Sequence, residues 1–467
     1  MVTYFPKLIS RKSITCYFVT LAAVSVLFFD RALPFVWVLF GTVEVCSFFY
    51  FSNQVTKRWY RLSPEAFVKK LFWTSLIIRL IYMVFIYFFY DFMTGQPFMF
   101  YSADEQVYYE TSKIWREHGF SAFRNELRWI DFSDSGEIWW TGMLCMLFGP
   151  YILTARIGHC LVSALTCVLI YRIANRHFGE RTARMASIFC MLMPNLIYYC
   201  GIHLKEADMV FATVLLVDSV DAILTGKKIN WKSLALAVFS TFAMFSFRTP
   251  LGMVGLLAVM VTLVLNRGKL TSVWKRVGLA VFIAIVLSAT TIGNRLMNDM
   301  DKLWEGGKDN QAVGMEYRSQ REGGNSFAKY ASSAVFAPAI FTIPFASMVY
   351  TEGQENQQML HGGNYVKNVM SGFIIFAIVL LLISGDWRKH VLPLSLMVGY
   401  LVVIAFSNFA HSERFHQPVL PFELMFAAYG ISQLQQKHVK WIDYWLVFVA
   451  VANIGWAWFK LAGRGLV

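Results

Sequence analysis

The stretch LFWTSLIIRLIYMVFIYFFY, residues 71 to 90, holds one charged residue in twenty. At 1.5 Å per helical residue it is about 30 Å long, the thickness of a bilayer's hydrocarbon core. Comparable apolar runs of roughly 17 to 22 residues recur along the chain. In lipid every backbone amide has to be satisfied within the chain, which makes such runs helices. The sequence therefore predicts an all-α polytopic membrane protein. Its composition agrees: 57% of the 467 residues are hydrophobic, 17% aromatic and only 15% charged. A net charge of +13 raises the question of nucleic acid, but the basic residues are scattered through short loops between apolar runs. That is a topology signal and excludes a nucleic-acid partner.

Hydropathy places spans near 14–30, 33–52, 71–90, 150–171, 185–200, 208–224, 233–247, 250–265, 277–293, 366–384, 391–408, 418–435 and 442–459, about thirteen transmembrane helices. The segment SAVFAPAIFTIPFASMVY, 333–350, is broken by Pro338 and Pro344 and reads as re-entrant or interfacial. A full span there would invert everything after it. Lys7, Arg11 and Lys12, the cluster Lys57 to Lys70, Arg172 to Arg184, Lys227 to Lys232, Arg267 to Arg276, and Arg388 with Lys389 fall on one side, with few acids among them. By the positive-inside rule that side is cytoplasmic. The opposite side then carries two long loops, 91–149 and 294–365, of which the first is acidic. Loops of that length in a compact protein are usually functional, so the chemistry is expected on the non-cytoplasmic face.

The N-terminus lacks a small-residue cleavage site, and Asp30 and Arg31 lead straight into a second span, which reads as an uncleaved first helix. The seven cysteines lie in or beside apolar spans without CxxC spacing and predict neither a disulfide nor a zinc site. The polar stretch 298–330 reads as a glycine-punctuated extramembrane loop. Charged residues inside spans, Arg79, Arg156, His159, Asp218, Asp221 and Glu423, are expensive in hydrocarbon and are expected to face the bundle and pair.

Within the first long loop, YSADEQVYYE at 101–110 sets two carboxylates side by side just after a span. If 102–118 is an interfacial helix capped by Ser102, Asp104 and Glu105 compensate its dipole, worth about 0.3 to 1 kcal/mol. Adjacent residues on a helix point about 100° apart, so the two acids cannot share one role, whereas Asp104 and Tyr108 share a face.

This pattern resembles the first external loop of the GT-C glycosyltransferases, membrane enzymes that use lipid-phosphate-linked sugars, and is similar in kind to the aminoarabinose transferases and protein O-mannosyltransferases. Two further segments resemble that family: HLKEADMVF at 203–211, like its second external loop, and HSERFHQPVLPFELMFAAYG at 411–430, like its late external segment. The resemblance implies a GT-C-like arrangement with external interfacial helices, and a catalytic set of Asp104 as general base with Glu105 and Glu206. It also implies a substrate-binding set of Tyr108, Lys205, Arg248, His411, Arg414 and His416, Arg414 being the phosphate ligand. Arg248 and Lys205 read equally as charges anchoring the ends of spans.

The implied partners are a polyprenyl-phosphate-linked sugar donor, the bilayer and an acceptor of unspecified kind, at a bacterial inner membrane with the site facing the periplasm. The isolated histidines give no basis for a bound cation; the one open place for a divalent ion is beside Asp104 or Glu206. On this reading residues 1–52 are two N-terminal helices added to the family's pattern, and 53–300 form the GT-C-like core. Residues 301–365 are then an external loop, and 366–467 the C-terminal helices. Two other readings stay open. A polysaccharide polymerase or ligase would rely on Arg318, Arg321 and His361, and a lipid-linked glycan flippase or transporter would show a repeat and midplane charges.

Overall fold

The computed structural model describes residues 3–101, 103–225, 230–265, 339–406 and 411–466. Ser102, the expected span 277–293, the loop 298–330 with Arg318 and Arg321, and the basic residues Lys227, Lys228 and Arg267 to Arg276 lie outside them.

The described chain is helical, with one isolated bridge, Ala32 to Val349, and no strand among the described residues. Six helical segments are long and apolar enough to cross a membrane: Phe35–Trp59, Pro64–Thr94, Ile152–Phe178, His361–Ser384, Asp386–Ala405 and Gln436–Ala462. Trp231–Phe247 and Thr249–Leu265 are shorter apolar helices. The protein is an all-α polytopic membrane protein, although the described helices do not reproduce thirteen full spans. The apolar run at 185–200 shows why: it is two short helices, Glu180–Leu192 (α7) and Pro194–Gly201 (α8). Pro194 has no amide hydrogen to continue the first, and it starts the second at a position where none is needed.

In chain order the other helices are Lys7–Leu27 (α1), Phe35–Trp59 (α2), Pro64–Thr94 (α3), Ala103–Glu126 (α4), Phe132–Phe148 (α5), Ile152–Phe178 (α6), Glu206–Thr225 (α9), Trp231–Phe247 (α10) and Thr249–Leu265 (α11). After them come Glu355–Met359 (α12), His361–Ser384 (α13), Val391–Ala405 (α14), Glu413–His416 (α15), Leu420–Ser432 (α16) and Val439–Ala462 (α17). α6 is the hub and packs on α3, α7 and α9, while α16 lies between α7 and α13. The two N-terminal helices join the same core, α1 against α17 and α2 against α7 and α13. Residues 339–350, from the segment expected to be re-entrant or interfacial, form turns and irregular chain that is mostly buried.

Close helix approach depends on glycine where α2 meets α13. A Cβ at Gly41 would overlap the His361 ring, and one at Gly362 would overlap the Gly41 carbonyl oxygen. Interior charges are buried as hydropathy demands: Arg79, Arg156, His159 and Glu423 are inaccessible, and Asp218 and Asp221 nearly so. Arg79 donates to Ser163 Oγ at 2.7 Å and to carbonyls of α3 and α7. Asp218 and Asp221 share Arg176, at 2.7 and 2.5 Å. Pairing of this kind is what makes the cost of an ion within a bundle tolerable.

Candidate active site

α3 ends on Gly95, whose φ of 74° closes the helix in the left-handed region. The chain turns over and re-enters α4 with Asp104 and Glu105 in its first turn. Those neighbours diverge. Glu105 points inward and is fully buried: it accepts from the Met99 amide at 2.7 Å and the His203 amide at 2.5 Å, and lies 3.5 Å from Arg156 Nη2. Arg156 in turn donates to the Pro97 carbonyl. Glu105, expected among the catalytic acids, thus sits in the protein interior, where it ties the 97–99 turn to the segment before α9.

Asp104 faces the other way and keeps 52% of its side chain exposed. Arg414, on α15, donates through Nη1 to Asp104 Oδ2 at 2.7 Å and through Nε to Glu206 Oε1 at 2.5 Å. Glu206 opens α9 and is fully buried. Arg248 follows the last residue of α10, its Nη2 lying 3.7 Å from the same Glu206 oxygen. Its guanidinium lies 4.1 Å from the Phe415 ring centroid and donates to the Tyr400 hydroxyl at 3.3 Å. Burial opposes the charge on Arg414, but the Glu206 and Asp104 carboxylates outweigh it and hold the guanidinium protonated well above its ordinary range. Asp104, Glu206, Arg248 and Arg414 therefore gather at one partly exposed place.

Lys205 and Tyr108 belong to an adjoining cluster. The Tyr108 hydroxyl donates to Asp134 Oδ1 at 2.8 Å, and Lys205 Nζ donates to the same oxygen and to the Ser133 carbonyl at 3.0 Å. Burial disfavours ionisation of Asp134, yet the Lys205 ammonium and the Tyr108 hydroxyl overcome it and hold the carboxyl below its ordinary value. Burial, followed by the nearby Arg248 charge, pushes the Lys205 amine down. Tyr108 is raised by burial and then by Asp134. The two histidines go elsewhere: His416 is buried with its Nδ1 2.9 Å from Lys367 Nζ, and His411 packs beside Trp456, ring centroids 5.4 Å apart.

Sequence reasoning did not single out Asp134, Glu137 or His203. All three stand in stretches recognised as polar, but nothing in their spacing says which acid of an acidic loop meets which base. Glu137, His159, His203 and Asp208 form a buried cluster, in which His203 and Asp208 flank Lys205 and Glu206 in the chain.

The family model for dolichyl-phosphate-mannose-protein mannosyltransferase matches residues 137–292. Over that segment the chain is similar to a family of glycosyltransferases. The matched third includes Lys205, Glu206 and Arg248, whereas Asp104 and Arg414 lie outside it. No curated protein matches the sequence. Among solved structures, ArnT from Cupriavidus metallidurans bound to undecaprenyl phosphate aligns at 15% identity and a TM-score of 0.49, over 86% of this chain and 73% of that one. The apo state of the same protein aligns at 15% identity and a TM-score of 0.42, over 75% and 58%.

Proposed function

We propose that this protein is a membrane glycosyltransferase that moves a sugar from a polyprenyl-phosphate-linked donor to an acceptor hydroxyl, at the non-cytoplasmic face of the membrane. The observation that carries the reading is the convergence of one half-exposed carboxylate, Asp104, with two guanidinium groups, Arg414 and Arg248, around the buried carboxylate of Glu206. The family description, which names a polyprenyl-type phosphate donor, supports the substrate class.

The chemistry follows from the groups. Arg414 and Arg248 are the cations suited to the donor's phosphate, a planar donor set being the better match for phosphate oxygens. The phosphate competes for the Arg414 Nη groups and so frees Asp104. The Asp104 carboxylate then takes the proton of the acceptor hydroxyl as its oxygen attacks the anomeric carbon. The bond from that carbon to the phosphate oxygen breaks, and the electron pair leaves with the lipid phosphate, whose charge the guanidinium groups stabilise. Glu206 orients Arg414 from behind. The lipid tail of such a donor stays in the bilayer, so on this reading the starts of α4, α9 and α15, which carry the reacting groups, stand at a membrane boundary.

The test is transfer from undecaprenyl-phosphate-linked sugars by the full-length protein in proteoliposomes. Asp104→Asn is expected to insert and fold as wild type and to lose transfer by 100-fold or more. A variant that keeps wild-type transfer would remove Asp104 from the base's role. His361, essential if the protein were instead a polymerase or ligase, is fully buried, with its Nε2 2.8 Å from the Tyr17 hydroxyl.

A further inference from the structure

Behind the Arg414 cluster, three fully buried side chains from three different segments aim one ligand atom each at a common point: Glu137 of α5, His159 of α6 and His203 of the link between α8 and α9. Glu137 Oε1 lies 3.3 Å from His159 Nε2 and 3.7 Å from His203 Nδ1, and the two ring nitrogens lie 3.4 Å apart. A point equidistant from the corners of a triangle with those three edges is about 2.0 Å from each, which is the bond length of zinc to imidazole nitrogen or carboxylate oxygen. In a tetrahedral site with bonds of about 2.1 Å, the ion standing a little out of the donors' plane, neighbouring donors are about 3.4 Å apart, close to two of the three edges and about 0.3 Å short of the Glu137–His203 one.

The surroundings match a ligand set as well as the distances do. Asp208 Oδ2 lies 2.6 Å from His159 Nδ1, on the far side of the ring from the convergence point. A carboxylate at that place is the usual partner behind a metal-bound histidine, where it takes the Nδ1 hydrogen and turns the Nε2 lone pair toward the metal. Thr141 Oγ1 donates to Glu137 Oε1 at 3.0 Å and fixes that carboxylate from α5 itself. Glu137 Oε2 is buried with no hydrogen-bond partner. A carboxylate oxygen accepts only, so a buried one without a donor is costly unless a cation stands near.

We propose that Glu137, His159 and His203 form a zinc site, with Asp208 orienting His159. Two imidazoles and a carboxylate select a late first-row divalent ion over magnesium or calcium, which prefer oxygen ligands. The ion's place is structural: it joins α5, α6 and the α8–α9 link, and so fixes the short segment that presents Lys205 and Glu206. His203 is doubly held in that case, through its ring by the ion and through its amide by Glu105. The sequence could not reveal the set, because its members are dispersed through the chain, with His159 and His203 alone 44 positions apart.

The test uses purified full-length protein in detergent, stripped with a chelator and reloaded with zinc chloride. Metal content is measured by mass spectrometry and unfolding by a thermal melt. The expected result is about one zinc per chain, a higher melting temperature on reloading, and loss of that zinc in His159→Ala and Glu137→Gln. Asp208→Asn, which removes only the orienting group, is expected to weaken zinc binding by 10- to 100-fold. If a variant does not fold, wild-type protein loaded with cobalt(II) keeps the question decidable, since tetrahedral cobalt has a visible absorption band that zinc displaces. A wild type that takes up no more zinc than the variants, or no zinc and no cobalt band, would overturn the proposal. The cluster would then be held by a proton, with His159 as an imidazolium between Glu137 and Asp208. Because the readout is metal content, its failure is separable from a failure of sugar transfer.

Discussion

Arg414 Nη1 lies 2.7 Å from Asp104 Oδ2, although 310 positions separate the two residues in the chain. Only one of the two carboxylates at the start of α4 reaches that guanidinium. Its neighbour Glu105 goes into the interior, which divides adjacent acids between an exposed and a structural place. Exchange of Arg414 for lysine keeps the charge and removes the planar donor set that spans Asp104 and Glu206. Arg414→Lys is expected to lower transfer 100-fold or more while the melting temperature stays near wild type, as read by initial rates and a thermal melt.

Glu105 should behave as a folding residue. Glu105→Ala leaves the buried Arg156 without its carboxylate and removes the acceptor for two amides, a loss of roughly 3 to 5 kcal/mol. Glu105→Gln keeps an acceptor oxygen and should be milder. Thermal melts of the two variants should rank wild type, Gln, Ala, and a stable Glu105→Ala protein that merely transfers slowly would contradict that place for it.

The Tyr108–Asp134–Lys205 cluster predicts an acid limit. Asp134 is held below its ordinary value of 3.8 in the folded protein. A depressed carboxyl contributes stability that is present in full above the unfolded value and is lost as pH falls through the folded one. Melting temperatures of wild type should therefore drop below pH 3.8, and Asp134→Asn should show a smaller drop over the same range. Equal slopes for the two proteins would place the acid sensitivity elsewhere.

The contact between α2 and α13 leaves no room for a side chain at Gly41 or Gly362. Gly362→Ala is expected to lower stability by about 1 to 3 kcal/mol through overpacking, seen as a lower melting temperature with the transfer rate of the folded fraction unchanged.

Much of the architecture could be read from hydropathy, because burial in lipid is a strong and local constraint. Among the described residues the long apolar runs are helical, and the interior charges Arg79, Arg156, His159, Asp218, Asp221 and Glu423 are buried. Periodicity could not show that the run 185–200 breaks at Pro194, since both halves are equally apolar. The site was legible in part. Asp104, Glu206, Arg248 and Arg414 were named from their segments and the structure brings them together. Lys205 and Tyr108, named with them, instead meet on Asp134, and His416 turns inward to Lys367. Which acid meets which base depends on how α4, α5, α9 and α15 pack, and a sequence of helices and loops does not encode that pairing locally. The Glu137–His159–His203 cluster was invisible for the same reason.

The most direct measurement compares Asp104→Asn with wild type in two assays on the same proteoliposomes: binding of undecaprenyl phosphate, and transfer from its sugar-linked form. Lipid-phosphate binding, through Arg414 and Arg248, is expected to be retained, with transfer reduced 100-fold or more. Transfer at the wild-type rate by Asp104→Asn would contradict it.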